Sequence, residues 1–133
     1  NNIDQPLLAT HILTVAELNN LNTTPIEILA AQSGYWIEIY DAYITVFFGT
    51  TATPTGYNSH KLHLQYNGDG THLLEFDNAI TSSNVAKMQR GVNINDLPFK
   101  DLAVEIHSAG NLGAAGNGQM LIELEYRLHP IIA

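Results

Sequence analysis

The sequence predicts an all-β domain, a jelly roll or β-sandwich with an extended N-terminal arm and one short N-terminal helix. Three observations carry that expectation. Apolar and polar residues alternate with period two in Ile26–Ala30, Lys61–Tyr66, Leu102–His107 and Gln119–Leu128, the pattern of half-buried strands. A longer run, Tyr35–Phe48, is dominated by β-branched and aromatic residues, which suit a pleated surface. Clusters of Gly, Asn, Asp, Pro and Ser separate these runs and mark turns. Roughly seven or eight short strands spaced this way read as a sandwich or jelly roll.

In chain order, residues 1–13 show no clear period and read as an arm, with residues 14–133 forming a single jelly-roll-like β domain. Ile3, Leu7, Leu8, Ile12 and Leu13 are apolar enough to require a partner, either a neighbour's sheet edge or the arm's own sandwich. Thr14-Val15-Ala16-Glu17 is a capping box, in which hydroxyl and carboxylate each accept from the other residue's backbone amide. Leu13 and Leu18 stand at the positions of a hydrophobic staple. A helix of about two turns is therefore expected from Val15 to near Leu21, ended by Asn22-Thr23-Thr24-Pro25.

Ile26–Ala30 reads as a strand and Gln32-Ser33-Gly34 as a turn. Tyr35–Phe48 follows as a long strand with a bend or bulge at Asp41-Ala42, and Gly49–Ser59 as a loop. In Lys61–Tyr66, Leu62, Leu64 and Tyr66 share one face while His63 and Gln65 take the other. Asn67-Gly68-Asp69-Gly70 is a tight turn into a hairpin partner, Thr71–Phe76. Thr81–Asn95 is polar and irregular and reads as a long loop or flap. Leu102, Val104 and Ile106 face away from Ala103, Glu105 and His107. Gly110–Gly118 reads as a hairpin loop into the last strand, where Met120, Ile122, Leu124, Tyr126 and Leu128 form the inner face.

Composition narrows the function. A chain of 133 residues has the length of one domain and can bury about two-thirds of its unfolded surface. It has no cysteine, so neither disulfides nor thiolate metal sites are available. No apolar run reaches the roughly 18 residues of a membrane span, and Asn1–Pro6 lacks the basic and apolar regions of a signal peptide. Five basic residues stand against 13 acidic ones, for a formal charge of −8. Lys61, Lys87, Arg90, Lys100 and Arg127 are scattered, whereas phosphate binding needs clustered cations. Nucleic acid and membrane are therefore not expected as partners. Only 14% of residues are charged, against about 25% in a typical soluble domain, which suggests that another chain covers part of the surface.

No catalytic set is expected. His11, His60, His63, His72, His107 and His129 show neither helical i, i+4 nor strand i, i+2 spacing, so they read as surface or loop residues and no metal is expected. Glu123 and Glu125 share the outer face of the last strand and Glu105 is a candidate neighbour. Two such carboxylates could serve glycan cleavage if they converged, but alternating Glu on an outward face reads first as a solvated strand. No Gly-x-Ser-x-Gly elbow is present. Gly110, Gly113, Gly116 and Gly118 open a strand, whereas a phosphate cradle opens a helix. The chain is thus read as no enzyme and without cofactor. Tyr35, Trp36, Tyr40 and Tyr43 form an aromatic strip suited to core or subunit-interface packing, or to stacking on sugar rings.

The stretch Leu13-Thr14-Val15-Ala16-Glu17-Leu18-Asn19-Asn20-Leu21-Asn22-Thr23-Thr24-Pro25-Ile26-Glu27-Ile28-Leu29-Ala30-Ala31 resembles the opening of a family of small tailed-bacteriophage virion proteins. Matching features follow in Gly34-Tyr35-Trp36-Ile37, in Gly49-Thr50 with Tyr57, and in Gly116-Asn117-Gly118 with Tyr126-Arg127. The resemblance covers most of the chain at low density and is specific only in the opening stretch. It implies a jelly-roll capsid cement or decoration protein, made in the host cytoplasm and carried on the virion's capsid surface. Such a protein would form a homotrimer and clamp neighbouring subunits of the major capsid protein. The family implies no catalytic residues. Ile3, Leu7, Leu8, Ile12, Tyr35, Trp36, Tyr40 and Tyr43 are the interface candidates. The alternative is a glycan-binding sandwich module of a tail tip or fibre, used in host recognition.

Overall fold

Period-two alternation sends every second side chain into a shared apolar layer. Ala42, Ile44, Val46, Met120, Ile122 and Leu124 enter it from one side; Leu62, Leu64, Val104 and Ile106 enter from the other. The computed structural model describes residues 6–50, 53–93 and 101–132, and among these the layer lies between two antiparallel sheets. The elements run β1 (Leu7–Leu13), α1 (Val15–Asn19), β2 (Ile26–Leu29), β3 (Tyr35–Phe47), β4 (Leu62–Tyr66) and β5 (His72–Phe76). They continue with α2 (Ala79–Ser82), β6 (Lys87–Arg90), β7 (Val92–Asn93), β8 (Val104–Ser108) and β9 (Gln119–Pro130). One sheet has the order β1-β9-β3-β6 and the other β2-β8-β4-β5-β7. The all-β sandwich expected from the alternation is the observed fold.

The stretch read as an arm is a strand from Leu7 onward, hydrogen-bonded along its length to β9 of the same chain, from Leu7 opposite Tyr126 to Leu13 opposite Met120. Among the described residues it is an edge strand of its sheet. The alternation is faint because an edge strand buries few of its residues, here fully only Leu13. Ile3 lies outside the described residues.

The helix cap forms as expected. Thr14 Oγ1 accepts from the Glu17 amide at 3.2 Å and Glu17 Oε1 accepts from the Thr14 amide at 3.0 Å. Leu13 and Leu18 are fully buried at the staple positions. The helix stops at Asn19, two residues earlier than expected, because the Asn20 side chain donates back to the Ala16 carbonyl at 3.0 Å and turns carry residues 20–24. In β3 the register against β9 passes from Ile39 opposite Tyr126 to Asp41 opposite Glu125, leaving Tyr40 as the extra residue of a bulge. This is the bend expected at Asp41-Ala42.

Two connections differ from the sequence reading. Thr81–Asn95 is not a flap: its described part carries the end of α2 and two strands. β6 pairs with β3, and β7, after the single residue Gly91, pairs with β5 in the other sheet. The chain passes close to the core at the swap, where a Cβ on Gly91 would lie 3.1 Å from the Phe76 ring, tighter than ordinary contact. β6 and β7 are mostly exposed, so their sequences carry no apolar alternation. Gly110–Gly118 is likewise no hairpin loop, since β8 and β9 lie in different sheets. This crossing is anchored by Tyr57, whose hydroxyl donates to the Gly118 carbonyl at 2.6 Å and whose ring lies over Gly116.

Candidate functional site

Residues that alternate away from the core build the outward face of the four-stranded sheet. Register aligns Thr10, Glu123, Tyr43 and Arg90 in one row and Ile12, Leu121, Thr45 and Met88 in the next. Leu8 lies opposite Glu125, on the other side of the first row. The apolar members are open to solvent: Leu8 is 64% exposed, Met88 63% and Ile12 51%. Leu8, Tyr43, Met88, Glu123 and Glu125 line a shallow groove of about 490 Å³. Alongside it runs the outer edge of β1, whose outward backbone amides and carbonyls pair with no other described strand.

Beyond the bulge, this face covers itself. Trp36 stacks on His129 with ring centroids 4.1 Å apart, and His129 Nε2 bonds Glu38 Oε1 at 2.9 Å. The Arg127 guanidinium sits 4.5 Å above the Tyr40 ring. At the bulge, Asp41 Oδ1 accepts from the Ala42 amide and from Arg90 Nε, each at 2.9 Å, and Tyr43 donates its hydroxyl to Oδ2 at 3.2 Å. Burial works against the Asp41 charge, but these three donors outweigh it and hold the carboxyl below its ordinary range.

Of the residues singled out in the sequence, Leu8, Ile12, Trp36, Tyr40 and Tyr43 come together on this face. Leu7 and Tyr35 alternate to its opposite side at strand ends, and Leu7 is still 43% exposed. Met88 and Arg90 were missed because they sit in the stretch read as a flap. Glu123 and Glu125 share the groove, but Glu105 lies on β8 in the other sheet, so the carboxylates do not form one set.

The histidines correct the sequence reading more sharply. His63 is 2% exposed and faces His107 across β4 and β8, while His72 on β5 stacks on it at 3.6 Å. Sequence spacing hides the cluster because its members come from three strands. Its hydrogen bonds fix the protons. The Asn22 carbonyl lies 2.9 Å from His107 Nε2 and can only accept, so His107 is protonated there and offers a lone pair at Nδ1. His63 Nε2, 3.2 Å from that Nδ1 and 2.9 Å from Gln65 Oε1, donates to both. Gln65 Nε2 donates onward to Glu105 Oε2 at 2.6 Å, and Asn67 donates to Glu105 Oε1 at 2.9 Å. His63 Nδ1 is buried without a hydrogen-bond partner. Burial therefore pushes the His63 ring down to about 4. His72 Nδ1 lies 2.6 Å from Glu75 Oε2 and, against an opposing effect of burial, holds Glu75 below the usual carboxylate range with help from Lys61. Among the described residues no group of His, Asp or Glu is arranged to hold a metal ion, and no helix is long and apolar enough to cross a membrane.

No protein family and no curated protein matches the chain. Its fold is similar to that of a chain in the acidic stable capsid structure of Helicobacter pylori bacteriophage KHP30. The two are 14% identical with a TM-score of 0.53, over 96% of this chain and 94% of that one.

Proposed function

We propose that this chain is a structural protein of a phage virion, a capsid cement or decoration protein that self-associates and clamps neighbouring major-capsid subunits. The single observation that carries this reading is the edge of the four-stranded sheet. There the outer edge of β1, which no other described strand pairs with, and an exposed Leu8–Ile12–Met88 surface lie side by side. Edge strands that stay soluble are usually blunted by charge or covered, and strand addition supplies both backbone hydrogen bonds and apolar contact. The near full-length likeness to a phage capsid chain supports the same reading. So does the strand order, in which the chain passes repeatedly between the two sheets and the first and last strands, β1 and β9, are neighbours, as in a jelly roll. Docking through β1 within its own sheet takes the place of a free arm. The glycan-binding alternative needs open aromatic faces. Trp36 and Tyr40 each have a ring face occupied, by His129 and by Arg127.

Electron microscopy of intact particles tests the location: density for this sandwich on the capsid surface is expected, and density at the tail tip alone would overturn the reading. Sedimentation at micromolar concentration tests the proposed trimer, for which a clean monomer, free and capsid-bound, would be the contrary result.

A further inference from the structure

We propose that the His63–His107–Asn22 chain is an acid-sensitive latch, whose protonation releases the turn between α1 and β2 from the five-stranded sheet while the rest of the sandwich stays folded. The reading is independent of what the protein docks to. The two facing ring nitrogens have room for one proton: His63 Nε2 supplies it and His107 Nδ1 receives it. The other nitrogen of His107 is committed to the Asn22 carbonyl, and the other nitrogen of His63 is buried with no hydrogen-bond partner among the described residues. An added proton therefore either sets two N–H groups against each other or strands a charged donor in a dry site.

The facing groups do not relieve this. On β4 the neighbour is Gln65, already donating to Glu105, and just before β4 is Lys61, paired with Glu75 at 3.6 Å. β5 presents His72 and Glu75, which are bonded to each other, and β8 presents Glu105, which already accepts from two side-chain amides. β2 adds Glu27 opposite Glu105, and β7 adds only Val92 opposite Glu75. The element held by the latch has few backbone ties besides: β2 is four residues long, bonded to β8 alone among the described strands, and its register shifts between Glu27 and Leu29, while Leu21 and Leu29 seat the two ends of the segment in the core.

The direction follows from linkage. The unfolded ring titrates near pH 6.5, and burial lowers the folded His63 ring to about 4. The latch is thus fully made above pH 6.5 and is lost as pH falls from there toward 4. NMR of the full chain tests it through the histidine ring nitrogens and the amide protection factors between pH 7 and 5. His63 is expected to remain an Nε2–H tautomer until below pH 5. Protection across residues 23–29 is expected to fall more than tenfold while β3 and β9 hold theirs. In His63→Gln, whose side-chain amide can donate to the same acceptors without titrating, that fall flattens. Three results overturn the proposal: a His63 ring titrating near 6.5, unchanged protection at 23–29, or loss of protection in all strands together. If His63→Gln does not fold, the wild-type measurements alone still decide.

Discussion

The hydroxyl of Tyr66, on β4, donates to the backbone carbonyl of Ile37, on β3, so a side chain of one sheet closes a hydrogen bond with the main chain of the other. The bond is buried, and it lies on the inner face just before the β3 bulge. Removing the donor leaves the phenyl ring in the core and deprives a buried carbonyl of its partner. Tyr66→Phe is expected to cost about 1–3 kcal/mol. Urea denaturation should show the midpoint falling with an unchanged slope.

The Thr14–Glu17 cap is reciprocal, so either side chain alone leaves one amide without its acceptor. Thr14→Ala should destabilise by about 0.5–2 kcal/mol. A double-mutant cycle with Glu17→Ala is expected to show the two losses to be less than additive, because each single change already breaks the box.

Gly116 lies under Tyr57 so closely that a Cβ would sit 2.4 Å from the ring. Gly116→Ala should therefore cost about 1–3 kcal/mol through overpacking. Tyr57→Leu, which by itself breaks the bond to the Gly118 carbonyl, should cost less in that background than in the wild type, since it also removes the ring that the new methyl meets. Thermal melting of the single and double variants makes the comparison.

Asp41 is held below its ordinary range, so its folded value is lower than its unfolded one of about 3.8. Its contribution is present above that value and is lost as pH falls through the lower, folded one. The stability gap between wild type and Asp41→Asn should accordingly be open at pH 7 and should narrow below pH 4. Guanidinium melts at pH 7 and 3 would measure it.

Leu8 and Ile12 are exposed and contribute little to the fold of an isolated chain. Changing both to Ser is expected to leave the melting temperature within about 2 °C, as surface substitutions usually do, while occupancy on particles falls at least tenfold. A large drop in melting temperature instead would mean that these side chains serve the domain itself.

The sequence made the fold legible where strands are half-buried. Met120, Ile122 and Leu124 alternate with Leu121, Glu123 and Glu125, and one face is core. The capping box was equally plain, because all its parts lie within four residues. Strands with little burial gave no such pattern, so Lys87–Arg90 and Val92–Asn93 read as loop. The histidine network was invisible for another reason. His63, His72 and His107 meet only after three strands align, and local spacing holds no record of that register. The polar-looking face of β4 is buried by this network, which a period-two rule alone assigns to solvent.

The pairing of β1 with β9 sets the order in which the molecule can be completed. Of the nine described strands these are the first and last to leave the ribosome, and β1 bonds to no other. Until β9 emerges, Leu7–Leu13 has no partner within its own chain, and a nascent edge is a template for pairing with other molecules. Closing the longest loop in the domain is also the step most burdened by chain entropy. The sandwich is thus expected to close late, once β9 is available, and crowded translation or overexpression should favour strand exchange between copies at this segment.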